Sequence, residues 1–153
     1  MRIVLDTNVL ARIAYRPEGP AAALLDRFGP SSPHVVVLSF ILSEVARVLR
    51  YPRLQRLHRL TDRQLQTFID GLRKLGLIVE PEPSDISPLA SDPDDDPVIA
   101  TAIAGDADVL CTLDRHLHAS FVTAACAARG IRVMTDVELL RELRTMEDDS
   151  PSE

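Results

Sequence analysis

The sequence predicts an α/β fold, in which helices enclose a parallel β-sheet. Short apolar runs rich in β-branched residues alternate with longer segments of helical periodicity, as is typical of parallel sheets. The chain has 153 residues, of which 46% are hydrophobic and 26% charged, which is ordinary for one globular domain. We therefore expect a single domain over residues 1–146 and a disordered acidic tail over residues 147–153.

Five short apolar segments are predicted to form the sheet. The first, over residues 2–5, contains Ile3, Val4 and Leu5 and stops at Asp6, as a buried strand would. The others cover residues 35–38, 77–79, 109–112 and 131–134.

Helices are predicted between these strands. Thr61 to Gln64 has the form of a capping box, and the apolar stripe behind it ends at Gly76. Ser39 is the expected N-cap of the helix after the second strand, which Pro52 interrupts. The remaining helices are placed at residues 9–14, 21–28, 97–104, 121–128 and 137–143. The Pro-, Ser- and Asp-rich segment 81–93 is long for a linker and is a candidate functional loop.

The lengths of the apolar segments indicate where in the cell the protein is located. No apolar stretch approaches the roughly 20 residues that a membrane span needs, and the apolar run before Asp6 is too short for a signal peptide. We therefore expect a cytoplasmic protein without a membrane partner. Cys111 and Cys126 do not form a CxxC pair, so we expect both to be buried free thiols.

Four acidic residues are predicted to meet at one edge of the sheet. Asp6 ends the first strand, Asp114 follows the fourth, and Asp96 heads the helix that leads into the fourth. Glu44 falls in the first turns of the helix after the second strand. Crevices in parallel sheets lie outside the carboxyl ends of the strands. Three or four carboxylates converging there suit a hard cation of the magnesium type.

Each of these acids also has a purely structural interpretation, which the sequence leaves open. Asp96 precedes Pro97 and is a good N-cap. Asp6 is suited to capping its own helix, Asp114 to a turn, and Glu44 to an exposed helix face.

The segment Asp92–Pro97 holds four aspartates in six residues. Such charges repel one another unless they are solvated or neutralised by a multivalent cation. Besides Asp96, we regard Asp92 and Asp95 as possible additional metal ligands, with solvated loop charges as the alternative.

Four segments of the chain form an ordered set of motifs: Leu5–Leu10, Ser43–Val45, Asp95–Ala102 and Ala107–Asp114. Together they resemble the PIN-domain nucleases, and among these the small VapC-like toxin ribonucleases of bacterial type II toxin–antitoxin systems. The resemblance covers residues 2–143, and the ordered set is more specific than any single motif. Two positions depart from the family pattern: Leu113 stands where the family often has Gly, and Asp94 where a basic residue is common.

The resemblance implies a three-layer α/β/α sandwich around a parallel sheet of about five strands, and an endoribonuclease dependent on Mg²⁺ or Mn²⁺. Carried over residue by residue, the catalytic and metal-binding residues are Asp6, Glu44, Asp96 and Asp114. Asn8 and Thr112 match positions that support the site through hydrogen bonds. The resemblance also implies an RNA substrate, a small antitoxin partner and a homodimer.

The net charge of −6 gives no general sign of nucleic-acid binding, but residues 45–63 contain six arginines and one aspartate. We predict that the arginines of this segment contact the phosphates of RNA. The alternative is that they form a solvated helix face without a binding role. The predicted RNA-binding residues are Arg47, Arg50, Arg53 and Arg56.

Other functions are weighed against this hypothesis. A non-catalytic PIN-like module that binds RNA or protein remains the main alternative. A receiver-type phospho-switch, a haloacid-dehalogenase-like phosphatase and a P-loop enzyme are disfavoured, because the only lysine, Lys74, lies late in a predicted helix and no Gly-rich loop is present. Zinc is disfavoured because His116 and His118 lack paired cysteines.

Overall fold

The computed structural model describes residues 1–38, 41–80 and 96–150, including all side chains there except those of Leu38 and Asp96. Five strands form one sheet with the order β3-β2-β1-β4-β5, and every neighbouring pair is parallel. They are β1 (Arg2–Leu5), β2 (Val35–Leu38), β3 (Leu77–Ile78), β4 (Val109–Cys111) and β5 (Arg132–Met134). The predicted parallel five-stranded sheet is confirmed.

Eight helices connect and cover the sheet in the described part of the chain. They are α1 (Thr7–Tyr15), α2 (Pro20–Leu25), α3 (Ile41–Leu49), α4 (Pro52–His58), α5 (Asp62–Leu75), α6 (Asp96–Ala104), α7 (Ser120–Ala127) and α8 (Asp136–Asp148). The chain moves along the sheet in one direction from β1 to β3 and in the other from β3 to β5, so right-handed crossovers place the two sets of helices on opposite faces. Accordingly, α1 packs against α2, α3 and α4, whereas α6 packs across β1, β2 and β4 and α7 against β5. The fold is the expected three-layer α/β/α sandwich.

Side-chain caps set the starts of three helices. The Asp6 carboxylate accepts the Thr7 N–H at the start of α1. The predicted capping box at α5 is present, with reciprocal hydrogen bonds between Thr61 and Gln64. A second capping box, between Thr135 and Glu138, starts α8. Each cap satisfies amide groups that a helix N-terminus leaves without partners.

The core lies on both faces of the central strands. Ile3, Val4 and Leu5 of β1 are fully buried, as are all three residues of β4. After α6 the chain passes so close to β2 that a Cβ added at Gly105 would lie 2.5 Å from Val37 Cγ1. Gly105 therefore permits the close approach that seats α6 on the sheet.

The structure corrects two predictions. Pro52 does interrupt α3, but it also occupies the first turn of α4, a helix that the sequence analysis missed. The helix predicted to end at Leu143 continues to Asp148, so the predicted disordered tail was wrong at Glu147 and Asp148. Glu147 forms an ion pair with Arg27, with 3.1 Å between Oε1 and Nε. The N-cap assigned to Ser39, the loop 81–93 and the end of the tail, residues 151–153, lie outside the described residues.

Two further expectations concern burial and membranes. Cys111 and Cys126 are both free and buried, as predicted. Burial raises the pKa of the Cys111 thiol well above its ordinary value, and the charges of Asp136 and Asp6 raise it further. Within the described ranges, no helix has the length and apolar character that spanning a membrane requires.

Candidate active site

The strand order places the switch point of the sheet at the carboxyl ends of β1 and β4, and we call this edge the crevice. These strands are neighbours in the middle of the sheet, with Leu5 opposite Cys111. The chain leaves β1 toward β2 and leaves β4 toward β5, on opposite sides, so the connections diverge at this point. Ligands of open α/β sheets bind at such a switch point. Asp6 follows β1 directly, and Thr112 and Asp114 follow β4.

Asp6 is almost completely buried at this crevice, with only 5% of its surface exposed. Its Oδ1 accepts the Thr7 N–H at 2.7 Å, and its Oδ2 accepts the Thr112 hydroxyl at 2.7 Å and the Asn8 amide at 3.3 Å. Burial raises the pKa of Asp6 above its ordinary value. The hydrogen bonds from Thr112 and Thr7 lower this pKa, and the charges of Glu44 and Asp114 raise it. The net shift is upward, so the site holds Asp6 in a position where its charge is costly.

Glu44 reaches the same site from α3 through Thr7. The Thr7 hydroxyl donates to Glu44 Oε2 at 2.7 Å, while the Thr7 N–H binds Asp6. One residue therefore links two of the predicted acids. This role of Thr7 was not predicted from the sequence. The available signal was its place directly after Asp6 at the start of a helix, but its contact with Glu44 depends on the packing of α1 against α3.

Thr112 and Asn8 join the ends of β1 and β4. The Thr112 hydroxyl donates to Asp6 and accepts the Asp114 N–H at 3.1 Å. Asn8 donates to Asp6 and accepts the Leu113 N–H at 3.2 Å. Both residues thus make hydrogen bonds at the positions where we expected support for the site. The Asp114 carboxylate accepts the N–H of His116 at 2.9 Å, which orients it within the turn after β4.

The structure brings together three of the four predicted acids around this hydrogen-bond network: Asp6, Glu44 and Asp114. Asp96 is the first residue of α6, and its backbone lies toward the same sheet edge because α6 runs back to the start of β4. The Asp96 side chain and the whole of Asp92 and Asp95 lie outside the described residues. Among the side chains that the structure describes, no three or more His, Cys, Asp or Glu residues are grouped closely enough to hold a metal ion.

A fifth acid at this edge, Asp136, was missed by sequence reasoning. It follows β5 at the start of α8 and is only 2% exposed. Its Oδ1 accepts the Val137 N–H at 2.8 Å, whereas its Oδ2 is buried and has no hydrogen-bond partner within the described residues. An acid in the first turn of a helix is common in sequences, so its pattern gave no signal of burial.

Most of the chain matches one known family. A family model described as the PIN domain matches residues 2–116, about three quarters of the chain. The chain belongs to the PIN-domain family. No curated protein and no solved structure gives a significant match to it. PIN domains are generally nucleases, so membership supports an activity of the phosphodiester-hydrolase type. The family resemblance predicted from the four segments is confirmed, and its finer toxin assignment stays a prediction.

The chemistry of these donor atoms suits a divalent cation, although the described side chains are not grouped closely enough to hold one. Asp6, Glu44 and Asp114 offer only carboxylate oxygens, which are the hard ligands that Mg²⁺ and Mn²⁺ accept. Each carboxylate oxygen can accept more than one hydrogen bond or coordinate bond, and Asp114 uses one oxygen for the His116 N–H. Like charges also raise the pKa of Asp6, and a cation would relieve that repulsion.

The basic segment of the PIN domain reaches the acids through Arg47. Its six arginines are all exposed, and Arg47 Nη2 lies 3.5 Å from Glu44 Oε1. His58 fastens α4 to the end of α3: its Nε2 donates to the Leu49 carbonyl at 2.7 Å, and its Nδ1 accepts the Leu60 N–H at 2.9 Å. The partners assign the neutral tautomer with the proton on Nε2. Sequence reasoning missed this role of His58.

Proposed function

We propose that this PIN domain is a divalent-metal-dependent endoribonuclease and acts as the toxin of a toxin–antitoxin pair. The observation that carries the proposal is the environment of Asp6. It is a buried carboxylate at the switch point of the sheet, with Glu44 and Asp114 close enough to raise its pKa. Family membership supports the nuclease class.

In this proposal Asp6, Glu44, Asp96 and Asp114 hold Mg²⁺ or Mn²⁺, with Asp92 and Asp95 as possible additional ligands. The bound cation would supply Lewis acidity that activates a water molecule for attack on an RNA phosphodiester and stabilises the charge on the leaving oxygen. The chain's own part is to orient the acids. Supporting contacts of this kind tune metal sites in proteins.

The supporting residues have distinct tasks. Thr7 fixes the separation of Asp6 and Glu44, because its N–H binds one carboxylate and its hydroxyl the other. Thr112 favours the charged form of Asp6, since its hydroxyl donates to Oδ2. Asn8 holds the turn after β4 in place through the Leu113 N–H. No side-chain nucleophile is required.

RNA is the proposed substrate. An acidic site alone repels a polyanion, so RNA binding requires basic side chains nearby. The exposed arginines at positions 47, 50, 53 and 56 offer phosphate contacts, and Arg47 lies next to Glu44. The toxin role rests on the VapC-like resemblance. With this role we propose a small antitoxin that covers the crevice and inserts a basic side chain among the acids. We also propose that the protein is a homodimer and is cytoplasmic.

The test is incubation of the full chain with RNA, with and without Mg²⁺, alongside Asp6→Asn. We expect cleavage that needs both the cation and Asp6. Asp26→Asn is the matched control because Asp26 is exposed and lies at the end of α2, away from the crevice. Cleavage by Asp6→Asn at the wild-type rate would overturn the assignment.

Calorimetric titration with Mg²⁺ separates the proposal from its main rival. An endoribonuclease of this design binds Mg²⁺ in the absence of RNA, and Asp6→Asn weakens that binding. A non-catalytic module would bind RNA without cleaving it and would show no Mg²⁺ binding that depends on Asp6.

A further inference from the structure

Arg47 connects the acidic crevice to an exposed aromatic ring. Its Nη2 lies 3.5 Å from Glu44 Oε1, and its Nη1 donates to the Tyr51 hydroxyl at 3.3 Å. Only the width of one guanidinium group therefore separates the Glu44 carboxylate from the Tyr51 phenol. The Arg47 side chain remains largely open to solvent, with 64% of its surface exposed.

The backbone of Tyr51 is firmly held although its side chain is exposed. Tyr51 stands between α3 and α4, where its N–H donates to the Val48 carbonyl and its own carbonyl accepts the N–H groups of Leu54 and Gln55. His58 joins the far end of α4 to α3, which fixes the corner from the other side. The residue is nevertheless 46% exposed. A ring on a rigid support loses little entropy when it binds a ligand.

Tyr51 is unusual among the aromatic residues that the structure describes. Phe28 is buried, and Tyr15 and Phe68 are partly buried. Phe121 is more exposed, at 57%, but its neighbours in sequence are Ser120 and Val122. Tyr51 instead lies next to Arg50 in sequence and two residues before Arg53, both exposed.

We propose that Tyr51 is a nucleobase-stacking residue, forming a subsite for single-stranded RNA beside Glu44. The inference rests on the proposed function and adds a residue that contacts the bases by stacking. Single-stranded nucleic acids are bound by aromatic rings that stack on bases, combined with basic side chains that contact the backbone. Tyr51 supplies the ring, and Arg50 and Arg53 supply the flanking charges. Arg47 sets the distance between the stacked base and the acids.

The experiment measures binding without cleavage, in the Asp6→Asn background. The probe is a single-stranded oligoribonucleotide of about ten nucleotides, within the range of single-strand site sizes, with 2-aminopurine as a reporter of stacking. A second probe of the same length has the ribose–phosphate backbone but no bases. Affinities for both probes are compared for Tyr51→Ala, Tyr51→Phe and the control Met146→Ala, an exposed apolar residue at the far end of α8.

Stacking predicts a loss that depends on both the bases and the ring. Tyr51→Ala should weaken binding of the base-containing probe about tenfold and leave binding of the base-free probe unchanged. Tyr51→Phe should restore most of the affinity, because it keeps the ring and loses only the hydroxyl that meets Arg47. Fluorescence of the 2-aminopurine should be quenched on binding, and less so with Tyr51→Ala.

Three results would overturn the inference. They are equal losses for the two probes, a Tyr51→Phe loss as large as that of Tyr51→Ala, and no binding of the base-containing probe by the parent variant. The proposed function is read separately, from Mg²⁺-dependent cleavage by the wild-type chain. If the wild type cleaves RNA but the Tyr51 variants bind the probe as tightly as their parent, only the stacking site is refuted. If binding depends on the bases and on Tyr51 but the wild type does not cleave RNA, only the nuclease function is refuted.

The chain offers an independent spectroscopic check. It contains two tyrosines and no tryptophan, so Tyr15→Phe leaves Tyr51 as the only tyrosine emitter. Quenching of this emission by the base-containing probe, but not by the base-free probe, is expected. Unchanged emission at saturating base-containing probe would contradict stacking on Tyr51.

Discussion

The Thr112 hydroxyl donates a hydrogen bond of 2.7 Å to Asp6 Oδ2 across the crevice between β1 and β4. The same hydroxyl oxygen accepts the Asp114 N–H at 3.1 Å. One threonine thus couples the first and last acids of the candidate site. Its donated hydrogen bond favours the charged form of Asp6, in opposition to the burial that raises the Asp6 pKa.

Replacing Thr112 by Val should raise the Asp6 pKa further, because the hydroxyl that stabilises the carboxylate is removed. RNA cleavage should fall by about 10- to 100-fold, as is usual for residues that support a metal site, and its pH profile should shift to higher pH. The measurement is the cleavage rate over a pH series. Thr112→Ser keeps a hydroxyl and is the control; an unshifted profile in Thr112→Val would contradict the coupling.

Asp6 should make the stability of the protein depend on pH. Its pKa is raised in the folded state above the ordinary value of 3.8, so the folded chain binds the proton more tightly than the unfolded chain. The contribution of Asp6 to stability is therefore lost as pH rises from about 4 through the raised pKa. Asn at this position does not titrate. In the absence of divalent cations, the Tm of Asp6→Asn minus that of wild type should become more positive as pH rises over this window.

Thermal unfolding at several pH values provides this measurement, with Asp26→Asn as the exposed control. A Tm difference for Asp6→Asn that is the same at pH 4 and at neutral pH would contradict the linkage. Under the proposed function, adding Mg²⁺ should reduce the difference near neutral pH, because the cation stabilises the wild-type fold and not the variant.

Gly105→Ala should destabilise the fold by about 1–3 kcal/mol, since the new methyl group would overlap Val37 in the core. Chemical denaturation measures this directly. Gly71 gives a matched control with the opposite sign: it is exposed within α5, and nothing lies within 4 Å of a Cβ added there. Gly71→Ala should stabilise the protein by about 0.5–1 kcal/mol. Equal effects at the two glycines would show that the close approach to β2 carries no cost.

Charge reversal on α4 should weaken RNA binding in a salt-dependent way. Arg53 and Arg56 are three residues apart on this helix and both are exposed. The double variant Arg53→Glu, Arg56→Glu should lower affinity and reduce the slope of log affinity against log salt by about 0.7 for each phosphate that is no longer neutralised. Arg141→Glu with Arg144→Glu has the same spacing and charge on α8 and serves as the control. Equal slopes for both double variants would favour a merely solvated helix face.

Local signals in the sequence predicted most elements of the fold. The strand over residues 2–5 and the capping box at Thr61 depend on neighbouring residues only, and both are present as expected. The α4 helix was missed because a proline such as Pro52 is found both where a helix ends and in the first turn of a helix. The strand order had to come from the structure, because pairing between β1 and β4 joins residues about a hundred positions apart.

The candidate site was predictable where topology alone decides position. Asp6 and Asp114 were placed by the rule that carboxyl ends of parallel strands share an edge, and the structure puts them on either side of the crevice. The contact of Thr7 with Glu44 was not predictable, since it requires the exact packing of α1 and α3. The burial of Asp136 was also invisible, because its pattern is that of an ordinary helix start.

The pairing of β1 with β4 also bears on how the protein is made. Asp6 precedes its partners Thr112 and Asp114 by more than a hundred residues, so it is synthesised before them. A nascent chain therefore lacks the site until β4 has left the ribosome and joined β1. A partly made chain that ends before β4 therefore carries no assembled acidic crevice.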